Sequence, residues 1–243
     1  MKGIILAGGR ATRLRPLTLV TSKQLLPVYN QPMIYYPLQT LIKAGIKDIL
    51  IIIAPDYSGQ FLNLLGDGSE FGVHFNYIVQ KEPRGLAEAF ILGEEFVDND
   101  NVTMILGDNI FLGQDFSQSI KDFKKGGMIF AKKVPDPERY GVVEFGPNHE
   151  VLSIEEKPVS PKSDYAIVGL YTFDNRVCQA ARNLIPSSRG ELEITDLHKF
   201  YLKQGELKVN TFEGIWEDAG TFESLLRVSN EAAEISKLTD VKI

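Results

Sequence analysis

Short apolar runs and helix-spaced apolar positions alternate along the first half of the chain. Ile4-Ile5-Leu6 and the stretch from Asp48 to Ala54 are continuous hydrophobic runs. Central parallel strands read this way because both of their faces are covered. Between these runs Met33 to Lys43 carries apolar residues at helical spacing and closes at Gly45, where glycine accepts the left-handed conformation of a helix end. The same alternation predicts a helix over 57–65, a strand over 73–79, a helix over 86–96 and a strand over 102–106. Strands separated by helices predict a mostly parallel central sheet flanked on both faces, a Rossmann-like α/β fold. Ligands in such sheets collect beyond the carboxyl ends of the strands, which here are Gly8-Gly9, Gln80 to Gly85, and Gly107-Asp108-Asn109.

The texture changes after residue 126. Met128 to Val134, Val142 to Phe145, Val151 to Glu155 and Tyr165 to Phe173 read as strands, with Gly146 to His149 as a hairpin turn. This part is predicted to be mixed or antiparallel. Helices over 175–184 and 195–204, a strand over 207–212 and a helix from Thr221 towards Leu238 complete the pattern. With no repeat, low-complexity tract or linker, 1–243 reads as a single domain.

Composition narrows the possibilities. A chain of 243 residues with 44% hydrophobic content fills a sizeable core. Its net charge of −6 argues against nucleic acid or an anionic membrane as partner, since both demand a broad basic surface. The only cysteine, Cys178, rules out an intramolecular disulfide and a cysteine-built zinc site, and its apolar helical setting makes it a core filler. No apolar run is long enough for a signal-peptide core or a membrane span, so a cytoplasmic protein is expected.

One local feature runs against the acidic balance. Behind the first apolar run Gly8-Gly9 lets backbone N–H groups approach a ligand, and Arg10, Arg13, Arg15 and Lys23 follow closely. Backbone amides position phosphate oxygens while guanidinium and ammonium groups neutralise them, so the pair of signals points to a small polyanion. A strand ending in a surface turn is the plainer alternative. Asp108, at the end of another strand, would face that anion; two anions so placed call for a cation such as Mg²⁺, which needs only one or two protein carboxylates. Read alone, Gly107-Asp108-Asn109 is equally a turn or a helix cap. The three histidines, His74, His149 and His198, fall in a strand, a turn and a helix with no shared partner, so no histidine-based catalysis is predicted.

Gly8 to Lys23 resembles the signature Gly-Gly-x-Gly-Thr-Arg-Leu-x-Pro-x-Thr, then Lys, of the sugar-phosphate nucleotidylyltransferases. Lys23 to Tyr29, Pro32 to Leu38, Gly107 to Phe111, Asp136 to Val143, Glu156-Lys157-Pro158, Arg189 to Asp196 and Trp216 to Thr221 are similar, in order, to the glucose-1-phosphate-using thymidylyl branch of that family. The resemblance implies Mg-dependent transfer of dTMP from dTTP to α-D-glucose 1-phosphate, giving dTDP-glucose and pyrophosphate by in-line attack at the α-phosphorus. No general base is required, because the sugar phosphate is already ionised.

By the same resemblance, about 1–126 forms a nucleotide-binding part and about 127–243 a sugar-phosphate-binding part. Asp108 and Asp218 take the metal. Arg13 and Lys23 manage the pyrophosphate, while Lys157 and Arg189 hold the attacking phosphate; alone, the last two read as a hairpin-end lysine and a solvated arginine. Leu6, Gly8, Gly9, Ala11, Thr12, Gln24, Gln80, Pro83, Gly85 and Leu86 complete the nucleotide site, with Gln80 suited to a pyrimidine edge. Asn109, Tyr140, Gly141, Glu156 and Val168 match the sugar contacts, although a lone tyrosine more often packs in a core. A homo-oligomer, dimer or tetramer, is implied.

The chain also departs from the pattern. Arg10 and Ala11 stand where the family commonly has a small residue and glycine, and the expectation is that Ala11 keeps a negative φ while Arg10 adds a triphosphate contact. Gln31 replaces a lysine and Glu88 a glutamine, neither at the metal chemistry. Long members of the family continue past residue 243 with a helical segment that helps form an allosteric site, so the resemblance does not carry that regulation, or the family's quaternary arrangement, over to this short form. A uridylyltransferase differs only in its tolerance of the ribose 2′-OH and the missing base methyl. A catalytically silent nucleotide-sugar module would lack the two carboxylates, and a dinucleotide oxidoreductase would need a Gly-x-Gly-x-x-Gly that is absent after the first strand.

Overall fold

The computed structural model describes residues 1–9 and 11–239. In chain order the elements are β1 (Lys2–Ala7), β2 (Pro27–Val28), β3 (Gln31–Pro32), α1 (Tyr35–Lys43), β4 (Asp48–Ile53), α2 (Ser58–Leu65), β5 (His74–Val79), α3 (Glu88–Leu92), α4 (Glu94–Val97), β6 (Val102–Leu106), β7 (Asn109–Leu112) and α5 (Ser117–Lys121). They continue with β8 (Gly127–Lys133), β9 (Gly141–Phe145), β10 (Val151–Glu156), β11 (Tyr165–Phe173), α6 (Arg176–Arg182), α7 (Ile194–Lys203), β12 (Leu207–Thr211), β13 (Ile215–Asp218) and α8 (Phe222–Thr239). The chain weaves between two compact units. One holds Gly3–Glu82, Ile105–Lys121 and Gly214–Ile243; the other holds Met1–Lys2, Pro83–Met104 and Asp122–Glu213.

In the first unit β1, β4 and β5 run parallel, with Gly3 to Ala7 beside Ile49 to Ile53 and these beside Phe75 to Val79. Ile4, Ile5, Ile49 and Ile51 are fully buried, as continuous apolar strands require. A second ribbon, which the sequence pattern does not predict, pairs β7 with β13 antiparallel. It is seated on a core of Val28, Met33, Tyr36, Ile110, Ala219 and Val228, the last contributed by α8.

In the second unit β10, β9, β11 and β8 form antiparallel neighbours and β12 joins β8 in parallel. The antiparallel texture expected from residue 127 onward is therefore present, with β11 spanning the predicted residues. The helix predicted over 86–96 is instead broken at Gly93 into α3 and α4. Phe173, Tyr201 and His198 stack in the core of this unit, and Cys178 is buried with its thiol pushed up to about 11 by burial. Among the described residues no helix is long and apolar enough to cross a membrane.

Candidate active site

The glycine turn behind β1 is shaped by close approach. A Cβ on Gly8 would lie 2.3 Å from Oε1 of Gln80, the buried amide at the end of β5, so a larger residue there would push that side chain out of its present place across the loop. Gln24 is buried nearby and accepts a hydrogen bond from Ser22 Oγ at 2.6 Å, while Gly107 packs on its Cγ. Leu6, inside β1, lends its carbonyl to the N–H of Gly107 at 2.9 Å, tying the glycine turn to the segment that carries Asp108.

Ala11 departs from expectation. Its φ is 46° and ψ 42°, left-handed, whereas a negative φ is the expectation from sequence. The cause is the tight turn opening the 3₁₀ segment Thr12–Leu14: the Ala11 carbonyl accepts Thr18 Oγ1 at 2.8 Å and the Leu14 N–H at 3.2 Å. The loop thus keeps the glycine-type backbone with an alanine in it, at a cost of about 1–2 kcal/mol. The expected role of Arg10 lies outside the described residues. Thr12 and Arg13 are exposed on this turn.

The two carboxylates predicted to share a metal meet through the β7–β13 ribbon. Its register sets Asp218 opposite Asn109, one residue from Asp108, and the Ala219 N–H donates to the Asp108 carbonyl at 3.0 Å. Directly opposed residues in an antiparallel pair lie about 5 Å apart at Cα. The Lys23 ammonium contacts Asp108 Oδ2, and Asn109 Nδ2 donates to Asp108 Oδ1 at 3.0 Å. Asn109 is itself held by Trp216 Nε1, which donates to its Oδ1 at 2.7 Å. Arg13 reaches the same place: a Cβ on Gly220 would be 2.8 Å from Arg13 Nη2 and 3.6 Å from Asp218 Oδ1. Arg13, Lys23, Asp108 and Asp218, four residues spread over more than 200 positions, are therefore neighbours.

Burial alone would raise the Asp108 carboxyl, but the Lys23 ammonium and the hydrogen bonds from Lys23 and Asn109 outweigh it and hold it below the ordinary carboxylate range. An ionised carboxylate at a ribbon end that also carries Asp218 suits a hard divalent cation. No group of three or more His, Cys, Asp or Glu able to hold a metal exists among the described residues. Two carboxylates fit Mg²⁺, which takes its remaining oxygens from phosphates and water, better than a metal caged wholly by protein.

The other predicted residues lie in the second unit. Pro83 and Gly85 precede α3; Gly85 has φ 107°, and a Cβ there would meet the Leu192 carbonyl oxygen at 2.4 Å and its nitrogen at 2.5 Å. Leu192 is stitched to this turn on both sides, donating to the Arg84 carbonyl at 2.7 Å and accepting the Ala87 N–H at 3.2 Å. Leu86, partly buried, sits between them. Glu88 explains one departure: its buried carboxylate accepts Arg84 Nε at 2.7 Å and the Arg84 N–H at 3.0 Å, and so braces the same turn.

Glu156, Lys157 and Arg189 line one cleft of about 480 Å³, together with Ser187, Glu193, Thr195 and Lys199. Lys157 has φ 44°, an outlier for a non-glycine residue, and its N–H donates to the Tyr140 carbonyl at 2.9 Å. Gly141 gives Thr195 room beside Glu156, since a Cβ there would lie 2.9 Å from Thr195 Cγ2 and in ordinary contact, 3.6 Å, with Glu156 Oε2. Tyr140 carries Arg139 over its ring, and Val168 is fully buried in β11; neither lines the cleft. Burial first, and then the charge of Glu193, raise the Glu156 carboxyl against the opposing pull of Lys157 and Arg189. Arg189 is not the solvated arginine its sequence context allows: Nη2 lies 2.7 Å from Glu193 and 3.3 Å from both Glu156 and Glu191. Sequence reasoning misses Glu193 and Ser187. Glu193 sits within the Arg189-to-Asp196 motif, and its placement two residues before Thr195 is the available signal.

Residues 2–235 match the nucleotidyl transferase family. The chain is 54% identical to a glucose-1-phosphate thymidylyltransferase of Neisseria meningitidis over all of its own length and 86% of that protein, and 51% identical to one of Mycolicibacterium smegmatis over the same shares. A crystal structure of a Bacillus anthracis protein given that same activity, in complex with a sucrose, superposes with a TM-score of 0.91 at 47% identity, covering 96% of this chain and 95% of that one. A UDP-glucose pyrophosphorylase complexed with UDP-glucose follows with a TM-score of 0.83 at 25% identity over 96% and 98%. With this α/β fold and a match over nearly its whole length, the chain belongs to the nucleotidyl transferase family, in its glucose-1-phosphate thymidylyltransferase branch.

Proposed function

We propose that this enzyme transfers dTMP from dTTP to α-D-glucose 1-phosphate, releasing pyrophosphate and making dTDP-glucose, in the cytoplasm and as a homo-oligomer. The observation that carries the reading is the meeting of Asp108 and Asp218 at one end of the β7–β13 ribbon with Arg13 and Lys23 beside them. Phosphoryl-type transfer asks little covalent chemistry of a protein and depends on positioning and electrostatics. Asp108 and Asp218 would hold Mg²⁺, which when bound neutralises phosphate charge and orients the triphosphate.

The protein's own groups do the rest. Gly8 and Gly9 present backbone N–H groups to phosphate oxygens, and Arg13 and Lys23 take the charge that develops on the leaving pyrophosphate. Gln80 and the backbone of Gly85 and Leu86 read the pyrimidine. Lys157 and Arg189 hold the sugar phosphate, whose oxygen is already ionised and attacks without a base. Glu156 and Gly141 meet the sugar hydroxyls, the carboxylate as acceptor and the glycine by leaving space; Asn109, Tyr140 and Val168 complete the sugar site in the same reading. The names of the relatives at 54% and 51% identity support the choice of substrates.

The test is pyrophosphate release from glucose 1-phosphate with dTTP, UTP, CTP, ATP and GTP in parallel, with and without Mg²⁺. The expected result is Mg²⁺-dependent release, fastest with dTTP. Release fastest with UTP would transfer the chain to the uridylyl reading, and no release with any triphosphate would end the proposal.

A further inference from the structure

We propose that Glu193 is a positioning residue that aims Arg189 at the sugar phosphate, with Ser187 as the second member of the brace. The inference rests on the reading in which Arg189 receives that phosphate. Arg189 has five N–H donors. Glu193 takes two of them as a fork, Nε to Oε1 at 3.1 Å and Nη2 to Oε2 at 2.7 Å, and the second Nη2 donor points to Glu156 Oε1 at 3.3 Å. Nη1 makes no hydrogen bond to any described residue, so its two donors remain for an incoming anion. A bidentate carboxylate fixes the plane of a guanidinium as well as its place.

Glu193 can do this because it is itself fixed. Its side chain is 8% exposed, and the Ser187 hydroxyl donates to Oε1 at 2.6 Å. The same Ser187 oxygen accepts the Arg189 N–H at 3.2 Å, and its backbone closes the turn, with Ser187 N–H to the Glu191 carbonyl at 2.9 Å and Gly190 N–H to the Ser187 carbonyl at 2.8 Å. One residue earlier Leu192 is locked between Arg84 and Ala87. The guanidinium is therefore held from a buried backbone pairing outward. A flexible arginine would otherwise be ordered only when substrate arrives, at a cost in affinity.

A plain surface ion pair would put the same atoms close together without affecting catalysis, and the two ideas part in kinetics. In the full-length enzyme with dTTP and Mg²⁺, Glu193→Gln is expected to raise KM for glucose 1-phosphate about tenfold, leaving KM for dTTP within about twofold and Tm nearly unchanged. Ser187→Ala should act in the same direction by about threefold. In an Arg189→Lys background, adding Glu193→Gln should change KM by less than about twofold, because a residue that acts through Arg189 has nothing left to aim. Full additivity in that double variant, or an unchanged KM in Glu193→Gln, overturns the proposal; if Glu193→Gln does not fold, the Ser187→Ala pair decides by the same criterion. Failure of the underlying reading looks different: Arg189→Lys alone would then leave the sugar-phosphate KM untouched.

Discussion

Gly85→Ala tests how tightly the turn before α3 is coupled to the segment carrying Glu193 and Arg189. The backbone at Gly85 has φ 107°, a region that L side chains rarely adopt, and forcing alanine there costs about 1–3 kcal/mol. The new Cβ would lie 2.4 Å from the Leu192 carbonyl oxygen and 2.5 Å from its nitrogen, both backbone atoms that cannot swing aside. To restore ordinary contact the two segments must separate by about 1 Å, which stretches the bonds from Leu192 to Arg84 and from Ala87 to Leu192. Each such bond is worth about 1 kcal/mol, so the whole penalty is about 3–5 kcal/mol. For a chain of this length that corresponds to a fall in Tm of roughly 10 °C, read by thermal unfolding. Because Glu193 follows Leu192 directly, KM for glucose 1-phosphate should rise together with that fall. A Gly85→Ala protein with Tm within about 2 °C of the parent and unchanged KM values would refute the reasoning.

Three further outcomes follow from the same geometry. Asp108→Asn removes the carboxylate that contacts Lys23 at the ribbon end carrying Asp218, and should lower kcat by about 10²–10³ while moving KM for glucose 1-phosphate much less; near-normal turnover in the pyrophosphate assay would remove the metal assignment. Ala11→Gly relieves left-handed strain but adds unfolded-state entropy, so denaturant unfolding should show a gain of at most about 1 kcal/mol, whereas Ala11→Val should be clearly destabilising. His198 is fully buried, and burial lowers its imidazole from 6.5 to about 3, so below pH 6.5 the unfolded chain binds a proton that the folded chain refuses. The stability it allows is complete above pH 6.5 and declines as pH falls towards 3, by about 1.4 kcal/mol per pH unit. His198→Phe, which keeps a ring stacked on Phe173 and tilted against Tyr171, should flatten the stability profile between pH 6.5 and 5, and an unchanged profile would count against a neutral core histidine.

The legible part of the fold is the part with strong periodicity. Ile4 to Leu6 and Ile49 to Ile53 are apolar on both faces, and a sheet interior is the simplest place for such strands. The β7–β13 ribbon is not legible, because β13 is four residues long and Glu217 and Asp218 make it look like a polar turn. Its strand character comes from pairing with Asn109–Leu112, a contact more than 100 positions away that no local pattern encodes. Ala11 defeats the sequence expectation for a related reason: alanine prefers a negative φ when nothing else acts, and here the Thr18 hydroxyl and the Leu14 N–H fix its carbonyl instead. The candidate residues themselves are readable from the resemblance. Which of them touch is not.

One cation of each set, Lys23 and Arg189, is already paired with carboxylates, and that constrains how the chemistry can run. Lys23 contacts Asp108, and Arg189 faces Glu193, Glu156 and Glu191. An unpartnered charge at a partly buried site would be costly, so a cation meant for phosphate needs an interim partner while the phosphate is absent. The two cases differ in what the partner does next. Asp108 is itself a candidate ligand for a divalent cation, so its carboxylate has a second role besides holding Lys23. Glu193 has no such second role. Its fork leaves Nη1 of Arg189 open, so Arg189 can keep its partner and still take the sugar phosphate. Removing the carboxylate should therefore impair turnover at Asp108 but affinity at Glu193, and kcat and KM separate the two.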